Sequence, residues 1–460
     1  MHPLDAAKRD SYCDQRTLLS LIKLSLDSAS ELIEVDGAQF TLMKHFNYIS
    51  GELCAEQVPL TEIATKYGTP SFVYSRAALE ENYKAYEKSL AGCKSQICFA
   101  VKANSNIGVL NVLARLGAGF DIVSGGELTR VIRAGGQPSN VIFSGLGKTV
   151  QEIRYALDLQ IKCFNVESPA ELDRIDKIAG EMDVIAPVSL RINPDIDAGT
   201  HPYISTGLRD NKFGIESQKA YEIYKSASAL RNINLIGVDC HIGSQITSIA
   251  PFLDSIDLML EIVDNLTESG VNISHLDIGG GLGVRYGSES IPSPEELLSA
   301  VMQRFVDRDL TLIVEPGRSI AANAGIFLTR VEYLKFGTEK NFAVVDGAMN
   351  DLIRPALYGA WQKIVSVALK SPTPSRSTRF DVVGPICESS DFLGKDRDLM
   401  IDEGDLLAVM SAGAYGFVMS SNYNTRPRSP EVLVDDTEVY LVRKREDIDT
   451  LLQLEDLPSF

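Results

Sequence analysis

Short apolar runs alternate with stretches of helical periodicity from residue 98 onward. The runs are CFAVKA (98–103), GFDIVSG (119–125), NVIFSG (140–145), IKCFNVES (161–168), PVSLRINP (187–194), NLIGVDCHIG (234–243), SHLDIGGG (274–281) and TLIVEPG (311–317). Between them lie segments such as IGVLNVLARLG (107–117), whose apolar residues recur at the i, i+3, i+4 spacing of an amphipathic helix. Parallel strands need long crossover connections, so strands alternating with helices predict a parallel sheet. Eight such units in about 220 residues fit a closed (β/α)8 barrel of the TIM type better than an open sheet.

The rhythm changes after residue 326. FAVVDGAM (342–349), FDVVGPICES (380–389), DLLAVMSAGAYG (405–416) and TEVYLVRKRE (437–446) read as strands without long helices between them. They predict a second, mainly antiparallel domain, a β-sandwich or β-barrel. The expected organisation is an N-terminal extension over 1–42, a segment over 43–80 that lends strand SFVYS (71–75) to the β domain, the barrel over 81–325, and the β domain over 326–460. The apolar stretch at 18–26 is interrupted by Lys23 and surrounded by acids, among them Asp5, Asp10, Asp14, Asp27, Glu31, Glu34 and Asp36. That pattern suits neither a secretory signal nor a transit peptide. It reads as a dispensable amphipathic extension, with the core starting at Met43.

Composition narrows the function. A net charge of −18 disfavours a nucleic-acid partner, because phosphates call for basic patches. The seven cysteines are odd in number and never spaced C-x-x-C, which reads as reduced thiols in a cytoplasmic protein. Five histidines without ligand spacing predict no metal centre. No run approaches the roughly 18 apolar residues of a membrane span.

In a (β/α)8 barrel the chemistry sits at the C-terminal ends of the strands. Lys102 ends the first run and Asp121 lies in the second. His241 ends the sixth, Gly279 to Gly283 the seventh, and Glu315 to Arg318 the eighth. A lysine desolvated at such a place is expected to have a lowered pKa and to act as a nucleophilic amine. Glycines in the loops after strands seven and eight let backbone N–H groups approach a phosphate. GLGKT (145–149) resembles a P-loop but fails, since Ile142 stands where the first glycine must be. A reactive lysine, a phosphate cradle, an imidazole and a carboxylate around one barrel mouth together suggest pyridoxal phosphate.

At this point a resemblance becomes close. Through HFNY, CFAVKAN, FDIVSGGEL, RINPDIDAGTHPYISTGLRDNKFGI, HIGSQI, LDIGGGLG, EPGRSI, DGAMNDLIRPALY, GPICESSDFLG and AGAYGFVMSSNYN, the chain resembles the diaminopimelate decarboxylases, fold III pyridoxal-phosphate enzymes. The match runs from about residue 45 to the C-terminus, and only the extension departs from it. The resemblance implies decarboxylation of meso-diaminopimelate to L-lysine and carbon dioxide, the last step of lysine biosynthesis.

It also implies roles. Lys102 bonds the cofactor covalently, Glu315 holds the ring-nitrogen proton, and His241 stacks on the ring. Asp121, Ser244, Gly280, Gly281, Gly283, Pro316, Gly317, Arg318 and Tyr415 complete the cofactor site. Arg318, Arg354, Tyr358, Glu388 and Tyr415 match substrate-binding positions, and Cys387 the proton donor. Cys387 and Glu388 are expected to complete the active site of the partner in a homodimer. The connection over 195–215, with His201, Tyr203 and Lys212, is long enough to be functional at a barrel mouth. Ornithine and arginine decarboxylases are the main rivals, yet their substrates lack a distal carboxylate to pair with Arg354. Carboxynorspermidine decarboxylases are a further alternative within the class, while cofactor-storage proteins, inactive regulatory homologues and alanine racemases are disfavoured by the second domain, the intact site residues and Glu315 respectively.

Overall fold

The computed structural model describes residues 33–35, 38–40, 43–199, 206, 212–370 and 377–460. The chain divides into two units, Met1–Lys44 and His45–Phe460. In the first, Ile33–Val35 and Ala38–Phe40 pair antiparallel. The rest of the expected extension, and His201 and Tyr203, lie outside the described residues.

All eight apolar runs become parallel strands. They are β1 (Ser95–Ala100), β2 (Gly119–Ile122), β3 (Val141–Phe143), β4 (Cys163–Val166), β5 (Ala186–Asn193), β6 (Ile233–Asp239), β7 (His275–Asp277) and β8 (Thr311–Val314). Each pairs with the next, and β8 pairs with β1, so the sheet closes into a barrel. Side chains alternate between the faces of a strand. Phe99, Phe120, Phe143 and Phe164 belong to the large core, whereas Cys98, Ile142, Cys163 and Ile313 form a separate small cluster. The helices between strands begin where their sequences say they should. Ser124, Thr149, Ser168 and Ser293 each precede a glutamate by three residues and accept a hydrogen bond from its backbone N–H. Each such cap is worth about 1 kcal/mol. The first three stand in the strand-to-helix loops at the mouth, where they fix loop geometry.

The strands after the barrel are β9 (Gly325–Phe336), β10 (Asn341–Val345), β11 (Ile364–Ser366), β12 (Thr378–Val383), β13 (Phe392–Leu399), β14 (Leu406–Val409), β15 (Glu431–Asp435) and β16 (Glu438–Arg443). Strand Ser71–Ser75 joins them, antiparallel to β9 and parallel to β15. Among the described residues, the only other parallel pairing in this sheet is β10 with β12. The short strands Phe46–Ile49, Glu52–Ala55 and Val58–Pro59 form a separate antiparallel sheet, and Ile215–Glu216 pairs parallel with β5. The loop after β14 reaches the barrel mouth: Asn104 Nδ2 donates to the Gly413 carbonyl at 2.9 Å, and Tyr415 N donates to the Ala103 carbonyl at 2.8 Å. The second domain thereby roofs the residues that follow β1.

Inside the barrel one contact leaves no slack. Gly237 on β6 lies opposite His275 on β7, and a Cβ at 237 would stand 1.9 Å from His275 Nε2. Gly237→Ala is expected to destabilise the fold by about 1–3 kcal/mol through overpacking. Chemical denaturation checks this, and unchanged stability would show that the imidazole can move aside.

Candidate active site

Strand β1 stops at Ala100, and Lys102 sits in the 3-10 turn Val101–Ala103 that follows. Its ammonium ion-pairs with Asp121, which is fully buried on β2. The expected direction of its pKa shift is corrected here. Burial alone would lower it, but the carboxylates of Asp121 and Glu315 outweigh burial and hold the pKa above the ordinary lysine value. The amine is thus kept as a neutralised ammonium inside the barrel.

The glycine loop after β7 is packed to the limit. A Cβ on Gly280 would lie 2.1 Å from the Glu315 carbonyl oxygen, and one on Gly281 2.4 Å from that of Gly243. Gly283 would meet the Ile246 carbonyl at 3.0 Å. Gly281 also has φ +112°, where L side chains are strained. Reciprocal hydrogen bonds, Ile246 N to the Gly281 carbonyl and Gly283 N to the Ile246 carbonyl, lock this loop to the one after β6. Gly280 N donates to His241 Nδ1 at 3.3 Å, which requires that nitrogen to be unprotonated. Burial first, then the charges of Arg191 and Lys102, push the His241 pKa well below its usual value. The Pro316 carbonyl accepts from Ala100 N at 3.1 Å, and a Cβ on Gly317 would lie 3.0 Å from Ala100 Cβ and Ala103 Cβ, seating the turn after β8 on the end of β1.

Arg318, buried, links the cradle to the second domain. It donates to Ser244 Oγ at 3.0 Å and to Tyr286 Oη at 2.7 Å, and its guanidinium lies 4.8 Å from the Tyr415 ring centroid. Tyr286 also faces Arg354, 5.4 Å from the ring centroid, with Tyr358 at 5.8 Å. Arg354 is only 7% exposed, its Nε has no hydrogen-bond partner, and among the described residues no carboxylate pairs with it. Desolvation lowers its pKa from the ordinary arginine value.

Cys387 and Glu388 are placed differently. Both are exposed on the loop between β12 and β13, and Glu388 accepts from Tyr423 Oη at 2.5 Å and from Ser390 Oγ at 3.1 Å, both residues of the second domain. Lys212, from the long connection, lies over the Phe213 ring at 5.3 Å. Lys148 of GLGKT is buried and donates to the carbonyls of Gly145 and Asn165 and to Glu171, all at 2.7–2.8 Å, so its ammonium ties loops together.

Sequence reasoning missed Tyr286, Tyr423, Arg191, Asp239 and Asp277. The last three had a signal, since they are polar residues at alternate positions of apolar strands. Arg191 on β5 pairs with Glu167 beyond β4 at 3.1 Å. Tyr286 lies in the loop after β7 with no pattern to mark it, and Tyr423 stands in AGAYGFVMSSNYN without a role that its neighbours in sequence could show.

These groups fit the expected pyridoxal phosphate. The glycine loop leaves no room for a Cβ at 280 or 281, an ammonium stands at the neighbouring strand end, and Glu315 presents a buried carboxylate oxygen without a donor. The sequence profile of the pyridoxal-dependent decarboxylases, pyridoxal binding domain, matches residues 76–322. A Vibrio cholerae protein named diaminopimelate decarboxylase is 60% identical over 417 residues, covering 90% of this chain and 99% of that one. One of the same name from Pseudomonas aeruginosa is 59% identical over 415 residues, covering 90% and 99%. The crystal structure of diaminopimelate decarboxylase from Helicobacter pylori complexed with L-lysine superposes with TM-score 0.82 at 40% identity, covering 86% of this chain and 98% of that one.

Gly281→Ala is expected to leave the barrel folded while weakening pyridoxal-phosphate binding at least about tenfold, the equivalent of 1.4 kcal/mol. A fluorescence titration with circular dichroism as control checks it. Unaltered affinity would remove the loop from the cofactor site.

Proposed function

The chain belongs to the pyridoxal-dependent decarboxylases, and from that premise we propose that it converts meso-diaminopimelate to L-lysine and carbon dioxide. The observation that carries the substrate assignment is Arg354, a buried guanidinium that pairs with no acid among the described residues, walled by Tyr286 and Tyr358. Meso-diaminopimelate bears an amino-acid group at each end. While one end reacts, the other still presents a carboxylate, which an arginine fork binds bidentately, and an ammonium, which an acid binds. Arg354 and Tyr358 answer the first, with Arg318 and Tyr415 beside them. Glu388 answers the second.

Bound pyridoxal phosphate supplies an electron sink for the pair left on the α-carbon when the carboxylate departs as carbon dioxide. The residues do the rest. Lys102 would bond the cofactor, with Asp121 holding that amine in place. The turns carrying Gly280, Gly281, Gly283, Pro316 and Gly317, with Ser244, Arg318 and Tyr415, would hold the phosphate. Glu315 would keep the ring nitrogen protonated, and neutral His241 would face the ring without adding charge. The Cys387 thiol gives its proton to the α-carbon, and solvent restores it.

We place Cys387 and Glu388 in the active site of a second copy of the chain. Both are exposed within their own subunit, although a proton donor must be shielded from competing water in use. The enzyme is read as cytoplasmic, in keeping with its unbonded cysteines. Among the described residues no helix is long and apolar enough to cross a membrane.

Lys102→Ala is expected to abolish the absorbance of the lysine-bonded cofactor. Cys387→Ala is expected to keep it and slow turnover about tenfold or more, the low end for losing a general acid. Mixing the two inactive or slow variants should regenerate activity that neither has, because a mixed dimer contains one site with both residues intact. Failure to regenerate it would place Cys387 in its own subunit's site.

A further inference from the structure

Directly behind Glu315 lies a feature that the proposed reaction does not use. Asp239 ends β6, Asp277 ends β7 beside it in register, and Glu315 follows β8. One oxygen of each of the three carboxylates lies within 4.8 Å of the others. All are buried, at 2%, 0% and 5% exposure. Asp239 Oδ1, Asp277 Oδ2 and Glu315 Oε1 have no hydrogen-bond donor among the described residues, nor does the side-chain oxygen of fully buried Asn165 on β4.

The surrounding charges do not neutralise this cluster. Lys102 is paired with Asp121, and Arg191 with Glu167. His241 is held neutral, and the thiols of Cys98 and Cys163, also turned towards the cluster, are pushed up by burial and by these same acids. Three like charges this close in a dry interior cannot all persist. The orphaned acceptors ask for the same remedy, since each protonated carboxyl is a new donor among oxygens that have none.

We propose that Asp239 and Asp277 are positioning residues that share protons with Glu315, making a buried proton store at its back. The store sets the charge that Glu315 presents towards the cofactor, and the inference rests to that extent on the role given to Glu315 above. Burial is the first cause in each: it raises the Asp239 pKa, with Asp277 adding to it and Arg191 opposing, and the Glu315 pKa, with Asp121 and Asp277 adding to it and Lys102 opposing, and it raises that of Asp277 to about 6 with the backbone N–H of Gly279 counteracting. No proton enters or leaves the site in this arrangement; the carboxyls exchange it among themselves.

Infrared spectroscopy of the full-length holoenzyme at neutral pH, without substrate, tests the proposal. A carboxylic-acid C=O band that shifts in heavy water is expected in the wild type. It should weaken in Asp239→Asn and disappear from the cluster's contribution in Asp239→Asn/Asp277→Asn, where Glu315 keeps only Asp121, itself paired with Lys102, as an acidic neighbour and ionises. Absence of the band in the wild type would overturn the proposal, whether a cation or water then satisfies the oxygens. So would a band undiminished in the double variant. The pH titration of cofactor absorbance separates the two readings: a band that behaves as expected, with a titration identical in wild type and double variant, would keep the store and remove Glu315 from the ring nitrogen.

Discussion

The structure depends on charge held away from water. A closed barrel of eight parallel strands has no room for solvent at its centre, yet its upper layer carries Lys102, Asp121, Arg191, Glu167 and three further carboxylates. Each ionised group there must be matched. Lys102 is matched by Asp121, and Arg191 by Glu167. Breaking one partner of such a buried pair typically costs about 3–5 kcal/mol, because the other is left uncompensated. The same pairing decides reactivity: the lysine amine stays charged in reserve, and the carboxylates that hold it so also face the ring-binding position.

Around this layer, rigidity comes from backbone packing. The glycine loop after β7 lies against the carbonyls of Gly243, Ile246 and Glu315, so the loop proposed to hold the phosphate has no room for side chains at these positions. Such preorganisation avoids reorganisation when an anion binds. The second domain closes the mouth through Asn104 and Tyr415 and brings Arg354 to within reach of Tyr286, which Arg318 also holds. Cofactor grip and distal recognition are thereby joined through one tyrosine.

Much of this was legible in the sequence because closed parallel barrels repeat one local rule. Each apolar run became a strand, and the residue ending the run marked the mouth. SFVYS was recognisable as a strand of the second domain, but the strands Gly325–Phe336, Ile364–Ser366, Phe392–Leu399 and Glu431–Asp435 were not singled out: they are mixed in burial, Glu431–Asp435 being buried on both faces and Phe392–Leu399 exposing Lys395 and Asp396, so no single period marks them. The Lys102 pKa was misjudged for a physical reason: desolvation is readable from an apolar run, whereas the compensating carboxylates come from β2 and β8, distant in sequence. The roles of Tyr286 and of Tyr423, although the latter stands in AGAYGFVMSSNYN, were not legible because tertiary contact alone brings them to Arg318 and Glu388. Arg191, Asp239 and Asp277 could have been found by asking why apolar strands keep polar residues at alternate positions.

The central claim is that an unpaired, buried Arg354 selects a substrate with a carboxylate at its far end. It is tested most directly by carbon dioxide release from meso-diaminopimelate, ornithine and arginine, each offered separately to the purified enzyme with pyridoxal phosphate. Release confined to meso-diaminopimelate, with lysine as the product, is the expected result. Preference for ornithine or arginine would contradict the account of the distal pocket while leaving the cofactor site standing.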